Sequence, residues 1–107
     1  RQRRRRRDEV TSLRSLVTLL AAEGRLDEAL PLLQQAISCL RELLGNGHEE
    51  TLESMQQLAT LHRAMGSDDL VLPVYEEMLT ICRANLGDSD PETLRVASAT
   101  AGLLQSR

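Results

Sequence analysis

Few side chains in this chain could do chemistry, and their spacing narrows the choice further. Arg14, Gln56, Arg63 and Arg95 could clamp a carboxylate-bearing peptide, because a guanidinium presents a planar fork that meets a carboxylate in two parallel hydrogen bonds. The same residues also read as solvated polar groups on an exposed helix face. His48 has no second His, no Cys and no well-spaced acid beside it, so no metal site is expected. His62 sits on an apolar stripe and reads as a packed residue. No nucleophile adjoins a base, no Gly-rich loop could cradle phosphate, and no acid pair stands in an apolar setting. No catalytic residue, no cofactor and no enzyme activity are therefore expected. Cys39 and Cys82 lie in apolar segments without CxxC or Cys/His spacing, which reads as reduced thiols in a cytoplasmic protein.

The formal net charge of −3 hides a division. Residues 1–7, RQRRRRR, carry six Arg, whereas residues 8–107 carry seven Arg against sixteen Asp and Glu, about −9 for the body. The run Arg3, Arg4, Arg5, Arg6 and Arg7 could contact a polyanion, an importin (a nuclear setting) or an acidic surface; the bland alternative is a solvated tail. No aromatic residue interleaves with it for stacking, and the acidic body repels phosphate, so nucleic acid is not the expected partner. No apolar run approaches the ~20 residues of a membrane span. The DEVTSLRSL that follows the Arg run is not the apolar core of a secretory leader. The first residue is Arg rather than Met, which suggests a piece of a longer protein.

The elements that must position these residues are written twice. LGNGHEETL begins at Leu44, and LGDSDPETL begins 42 residues later at Leu86. Residues 10–52 share fifteen identities with their counterparts at +42, where chance gives about four; Leu16, Gly24, Pro31, Arg41 and Thr51 are among them. Within each copy the apolar period is helical, as in Leu30, Leu33, Ile37, Leu40 and Leu44, or Leu52, Met55, Leu58, Ala59, His62 and Met65. Gly24 and Gly66 break each copy in the middle, where a helix can end left-handed. Ser67-Asp68-Asp69 offers an N-cap, Gly45 and Gly87 end the second helices, and Pro91 suits a first turn. The predicted helices are 9–23, 26–44, 50–65, 68–86 and 91–105, with bends expected at Pro31 and Pro73.

The fold class that follows is all-α: a right-handed superhelical solenoid of antiparallel helix pairs, about five helices in number. Residues 1–7 form a basic tail, residues 8–49 and 50–91 two repeats, and residues 92–107 a partial third. Opposite the apolar stripes lie Arg14 and Thr18, then Glu53, Gln56, Thr60 and Arg63, then Arg95 and Ser98; these are the candidate partner-binding residues. Leu103 and Leu104 lack a second helix to cover them, which makes them the candidate contact of a homo-oligomer.

These motifs carry a resemblance. L-G-x-x-H-P-x-T-L, then a helix, a Gly turn and A-x-P-L, is similar to the 42-residue tetratricopeptide repeats of kinesin light chains. Gly24, Ala29, Leu33 and Ala36, with Leu13 and Leu16, match packing positions of that pattern; Leu58, Ala59, Gly66 and Tyr75 match in the second copy. The second copy departs at Val71 and Met78, where the pattern has Ala, and at His62, where it has Tyr. His48 stands without Pro in one loop and Pro91 without His in the other. The resemblance implies a scaffold or adaptor that binds proteins or peptides in a groove lined by the first helix of each pair. Kinesin light chains carry paired Asn before the conserved Leu; here Arg14-Ser15, Gln56-Gln57 and Ser98-Ala99 stand there instead.

Overall fold

The structure, a computed structural model, describes the backbone of residues 2–105 and the side chains from residue 7 to residue 105. Aliphatic residues at three- and four-residue spacing wind this chain into five helices: α1 (Gln2–Ala22), α2 (Leu26–Leu44), α3 (Glu49–Ala64), α4 (Asp68–Asn85) and α5 (Pro91–Gln105). Each packs on its chain neighbours, so the fold is an all-α helical repeat solenoid. Its smallest dimension is 16 Å, which suits two layers of helices whose axes lie roughly 8–10 Å apart. The layer of α1, α3 and α5 carries the first helices of the pairs, and α2 and α4 form the other.

The core is aliphatic, with Tyr75 its one aromatic member, and runs through all five helices. The two pairs share its volume differently. Val17 of α1 and Ala29 of α2 are replaced at +42 by Ala59 of α3 and Val71 of α4, and all four are buried in the same cluster. The departure at Val71 thus comes with a smaller residue at the matched site on the partner helix, the kind of volume-conserving exchange that cores tolerate.

The twice-written loop has a physical explanation. Gly45 adopts φ 91°, ψ 163°, a region essentially closed to residues with a Cβ. Thr51 Oγ1 donates to the Gly45 carbonyl at 2.9 Å, which ties the start of α3 back across the turn. His48 Nδ1 accepts the Glu50 N–H at 3.1 Å, and Asp90 Oδ1 accepts the Glu92 N–H at 2.9 Å. His48 and Asp90 occupy the same position of the repeat, 42 residues apart, so two unlike side chains cap α3 and α5 in the same way. Inside each pair the chain turns on a Schellman motif. Gly66 has φ +78°, and the Ser67 N–H reaches the His62 carbonyl at 2.8 Å.

Three sequence expectations change. The Arg-rich segment, expected outside the fold, is helical from Gln2 and continuous with α1, since Arg is a good helix former and no Gly or Pro interrupts residues 2–22. Ser67 precedes α4 but its side chain makes no capping bond; Asp68 and Asp69 in the first turn face the positive helix end instead. Leu16, expected in packing, is 45% exposed, and Leu19 on the same helix is 58% exposed. Of their counterparts, Leu61 belongs to the core and Leu58 is partly buried against it, whereas no helix precedes α1 among the described residues. Both α2 and α4 continue unbroken through Pro31 and Pro73.

Candidate partner-binding face

Burial of one stripe on α1, α3 and α5 leaves the opposite stripe of each helix open, and these stripes line up side by side. Arg14 and Thr18 line a first cleft of ≈ 320 Å³ where α1, the end of α2 and α3 meet, together with Arg7, Leu40, Leu43, Glu50 and Gln57. Glu53 and Arg95 line a second cleft of ≈ 320 Å³ where α3, the end of α4 and α5 meet, with Glu49, Leu52, Leu86 and Glu92. The second cleft repeats the first at five positions: Arg7, Val10, Thr11, Leu44 and Glu50 of the first become Glu49, Leu52, Glu53, Leu86 and Glu92 at +42.

Gln56 and Thr60 fall in a third depression of ≈ 280 Å³, between α1 and α3, floored by Val17, Leu26, Leu33 and Leu61. Gln57 lines both this depression and the first cleft, joining them into one groove. Arg63 and Ser98 are exposed and line none of these clefts. Six of the eight expected groove residues are therefore brought together, and two are not.

The groove's charges are already partly engaged. Arg14 approaches Glu53 at 3.8 Å and Arg7 approaches Glu50 at 3.4 Å, so two long ion pairs cross from α1 to α3. Arg95 is held by Glu92 through two guanidinium nitrogens, and that hydrogen bonding is the main reason its pKa lies above the ordinary arginine value. Gln56 Nε2 donates to the Tyr75 hydroxyl at 2.6 Å, fixing the amide against α4. The four-residue clamp is thus not a set of free donors: Arg14, Gln56 and Arg95 each have a partner, and only Arg63 stands in none of these pairs.

Arg7, Glu49, Glu50, Gln57 and Glu92 line the clefts without having been singled out for that face. Arg7 reads from sequence as tail; its signal was the 42-residue offset from Glu49. The side chains of Arg3, Arg4, Arg5 and Arg6 lie outside the described residues. The oligomer pair divides: Leu103 packs against the core cluster, whereas Leu104 is 52% exposed and shares its open face with Leu94, 57% exposed. Cys82 is buried and Cys39 half-buried, and neither forms a disulfide; burial pushes the Cys82 thiol upward from its ordinary pKa. Among the described residues no helix is long and apolar enough to cross a membrane, and no group of His, Cys, Asp and Glu is placed to hold a metal ion.

A two-layered helical repeat with a groove along one layer is a class of fold that is non-catalytic in itself and whose repeats generally mediate protein–protein interaction. The tetratricopeptide repeat model matches residues 8–84, well over half of the chain, and the chain belongs to that family. Among curated proteins no match was found.

Proposed function

We propose that this chain is a scaffold or adaptor module of the kinesin-light-chain-like kind that holds an extended segment of a partner protein in the groove of α1, α3 and α5. The 42-residue period and the paired L-G…T-L loops support the type. The observation that carries the reading is the recurrence of one cleft at +42, on the face where Arg14, Thr18, Glu53 and Arg95 had been expected to bind. A surface that repeats its cleft offers successive subsites to an extended chain, with backbone and side chains read at regular steps. The setting this reading assigns is the cytoplasm, where Cys39 and Cys82 stay reduced.

Peptides selected for binding from a random display library test it. Filling the groove with Thr18→Trp or Gln57→Trp should abolish their binding, while Gln34→Trp on the exposed side of α2 should leave it intact. Loss only with Gln34→Trp would refute the groove.

A second reading, self-association, is favoured by the open face of α5, where Leu94 and Leu104 are each more than half exposed. Sedimentation at high protein concentration should then show a dimer that Leu94→Glu with Leu104→Glu dissolves; a wild type monomeric throughout would remove this reading.

A further inference from the structure

The two repeated clefts share a shape but not a charge. Arg7, Arg14 and Glu50 are the charged residues of the first, which sums to +1; Glu49, Glu53, Glu92 and Arg95 are those of the second, which sums to −2. The reversal comes from two substitutions at matched positions, Arg7 to Glu49 and Thr11 to Glu53.

We infer that the partner segment is charge-segregated, with an acidic stretch over α1 and a basic stretch over the starts of α3 and α5. This rests on the groove reading above and names the ligand chemistry of that groove.

The ion pairs already present do not cancel the difference. Arg7–Glu50 and Arg14–Glu53 are long, at 3.4 and 3.8 Å, and their four side chains are between 31% and 63% exposed. Such pairs are individually weak, so an incoming carboxylate displaces them at little cost and meets two guanidiniums on one helix face. In the second cleft Arg95 is neutralised by Glu92, which holds it through two nitrogens. Glu49 has no ion-pair partner among the described residues, and Glu53 is free to turn to a ligand once Arg14 is taken. Both are then available to a Lys or Arg of the ligand.

Spacing fixes the pattern. Neighbouring helices sit roughly 8–10 Å apart, and an extended chain advances about 3.3 Å per residue, so about three residues separate the acidic and basic centres. That separation is close to the Debye length of about 10 Å at 0.1 M salt, so the two clefts present distinct fields under ordinary conditions.

The test uses the isotopically labelled chain and two blocked heptapeptides of one composition, Asp-Asp-Leu-Ala-Leu-Arg-Arg and Asp-Arg-Leu-Ala-Leu-Asp-Arg, followed by amide NMR at 0.1 M and 1 M salt. The segregated peptide should bind about fivefold tighter at low salt, since each exposed ion pair contributes roughly two- to threefold. It should shift amides around Arg14 and around Glu53, and lose its advantage at 1 M. Arg7→Glu with Arg14→Glu should erase the preference while leaving amide dispersion intact. Equal affinity of the two peptides, with shifts in both clefts, would overturn charge segregation and leave the groove reading standing. Shifts confined to the outer faces of α2 and α4, or no shifts at millimolar peptide, would overturn both.

Discussion

The exchange of volume between the two helix pairs makes a quantitative prediction. Val17 and Ala29 in the first pair are buried like Ala59 and Val71 in the second. Val17→Ala removes two methyl-sized groups from a site only 3% exposed, which costs about 1.5–3 kcal/mol once the residual cavity is included. Ala29→Val inserts the same volume where no side-chain surface is exposed at all, an overpacking of about 1–3 kcal/mol. Val also forms helix slightly less readily than Ala, by roughly 0.5 kcal/mol. If the two sites share one space, as the second pair implies, the double variant rebuilds the arrangement of Ala59 and Val71. It should lie within about 1 kcal/mol of the parent, giving a coupling of about 2–4 kcal/mol. Urea unfolding followed at 222 nm measures all four corners of the cycle. Additive losses in the double variant would show that the sites do not share a space and would refute the packing argument.

Gly45 stands in a backbone region closed to other residues, and a Cβ there meets no atom, so Gly45→Ala isolates the backbone cost. It should lower stability by about 1–3 kcal/mol and more than Gly66→Ala, read as melting temperatures; equal losses would contradict the turn geometry. His48→Ala should cost about 1 kcal/mol by removing the α3 cap, whereas His48→Asp should match or exceed the parent because Asp90 already performs that role. The Glu28 carboxyl is held below its ordinary pKa chiefly by the hydrogen bond from Arg25. Its contribution is therefore present above the ordinary carboxylate value and is lost as pH falls through the lowered one. Arg25→Ala should move the Glu28 carbon-13 titration upward, and an unmoved titration would show that the pair does not persist in solution.

Fold was legible in this sequence because each local signal agreed with the next. Gly24 and Gly66 sit where an aliphatic period stops, and both take positive φ at helix ends. The repeat offset then carried the helix order across the chain. The caps were harder to read, because His48 and Asp90 are chemically unlike and share only an acceptor atom two residues before the N–H they bind. The groove was half legible. Helical phase placed Arg14, Thr18, Glu53, Gln56, Thr60 and Arg95 on the clefts, but phase cannot tell a free guanidinium from one paired across helices. Arg14–Glu53 and Gln56–Tyr75 join residues 39 and 19 positions apart, distances that only the packing of helices brings together. Leu16 and Leu103 misled for one reason: in a solenoid the same motif position is core or surface depending on whether a neighbouring helix lies beside it.

That dependence yields a last prediction, in which α3 serves as the template. α3 packs on α2 before it and on α4 after it, and two of its stripes are covered in full or in part: Thr51, Ser54, Leu58 and Leu61, and Leu52, Met55, Ala59 and His62. Shifted by 42, the first stripe becomes Thr93, Val96, Thr100 and Leu103, and α5 packs on α4: Thr93, Val96 and Thr100 are buried and Leu103, partly buried, packs against the core cluster. The second becomes Leu94, Ala97, Ala101 and Leu104, with both leucines more than half exposed. Leu103→Ala should thus remove packed surface and cost on the order of 1–2 kcal/mol, at the low end for a leucine because the site is only partly buried. Leu104→Ala, on the open stripe, should stay within about 0.5 kcal/mol. Urea unfolding at low protein concentration, where association does not contribute, measures both. A larger loss at Leu104 than at Leu103 would mean that α5 is rotated about its axis relative to this structure, and would reassign which of its faces is open.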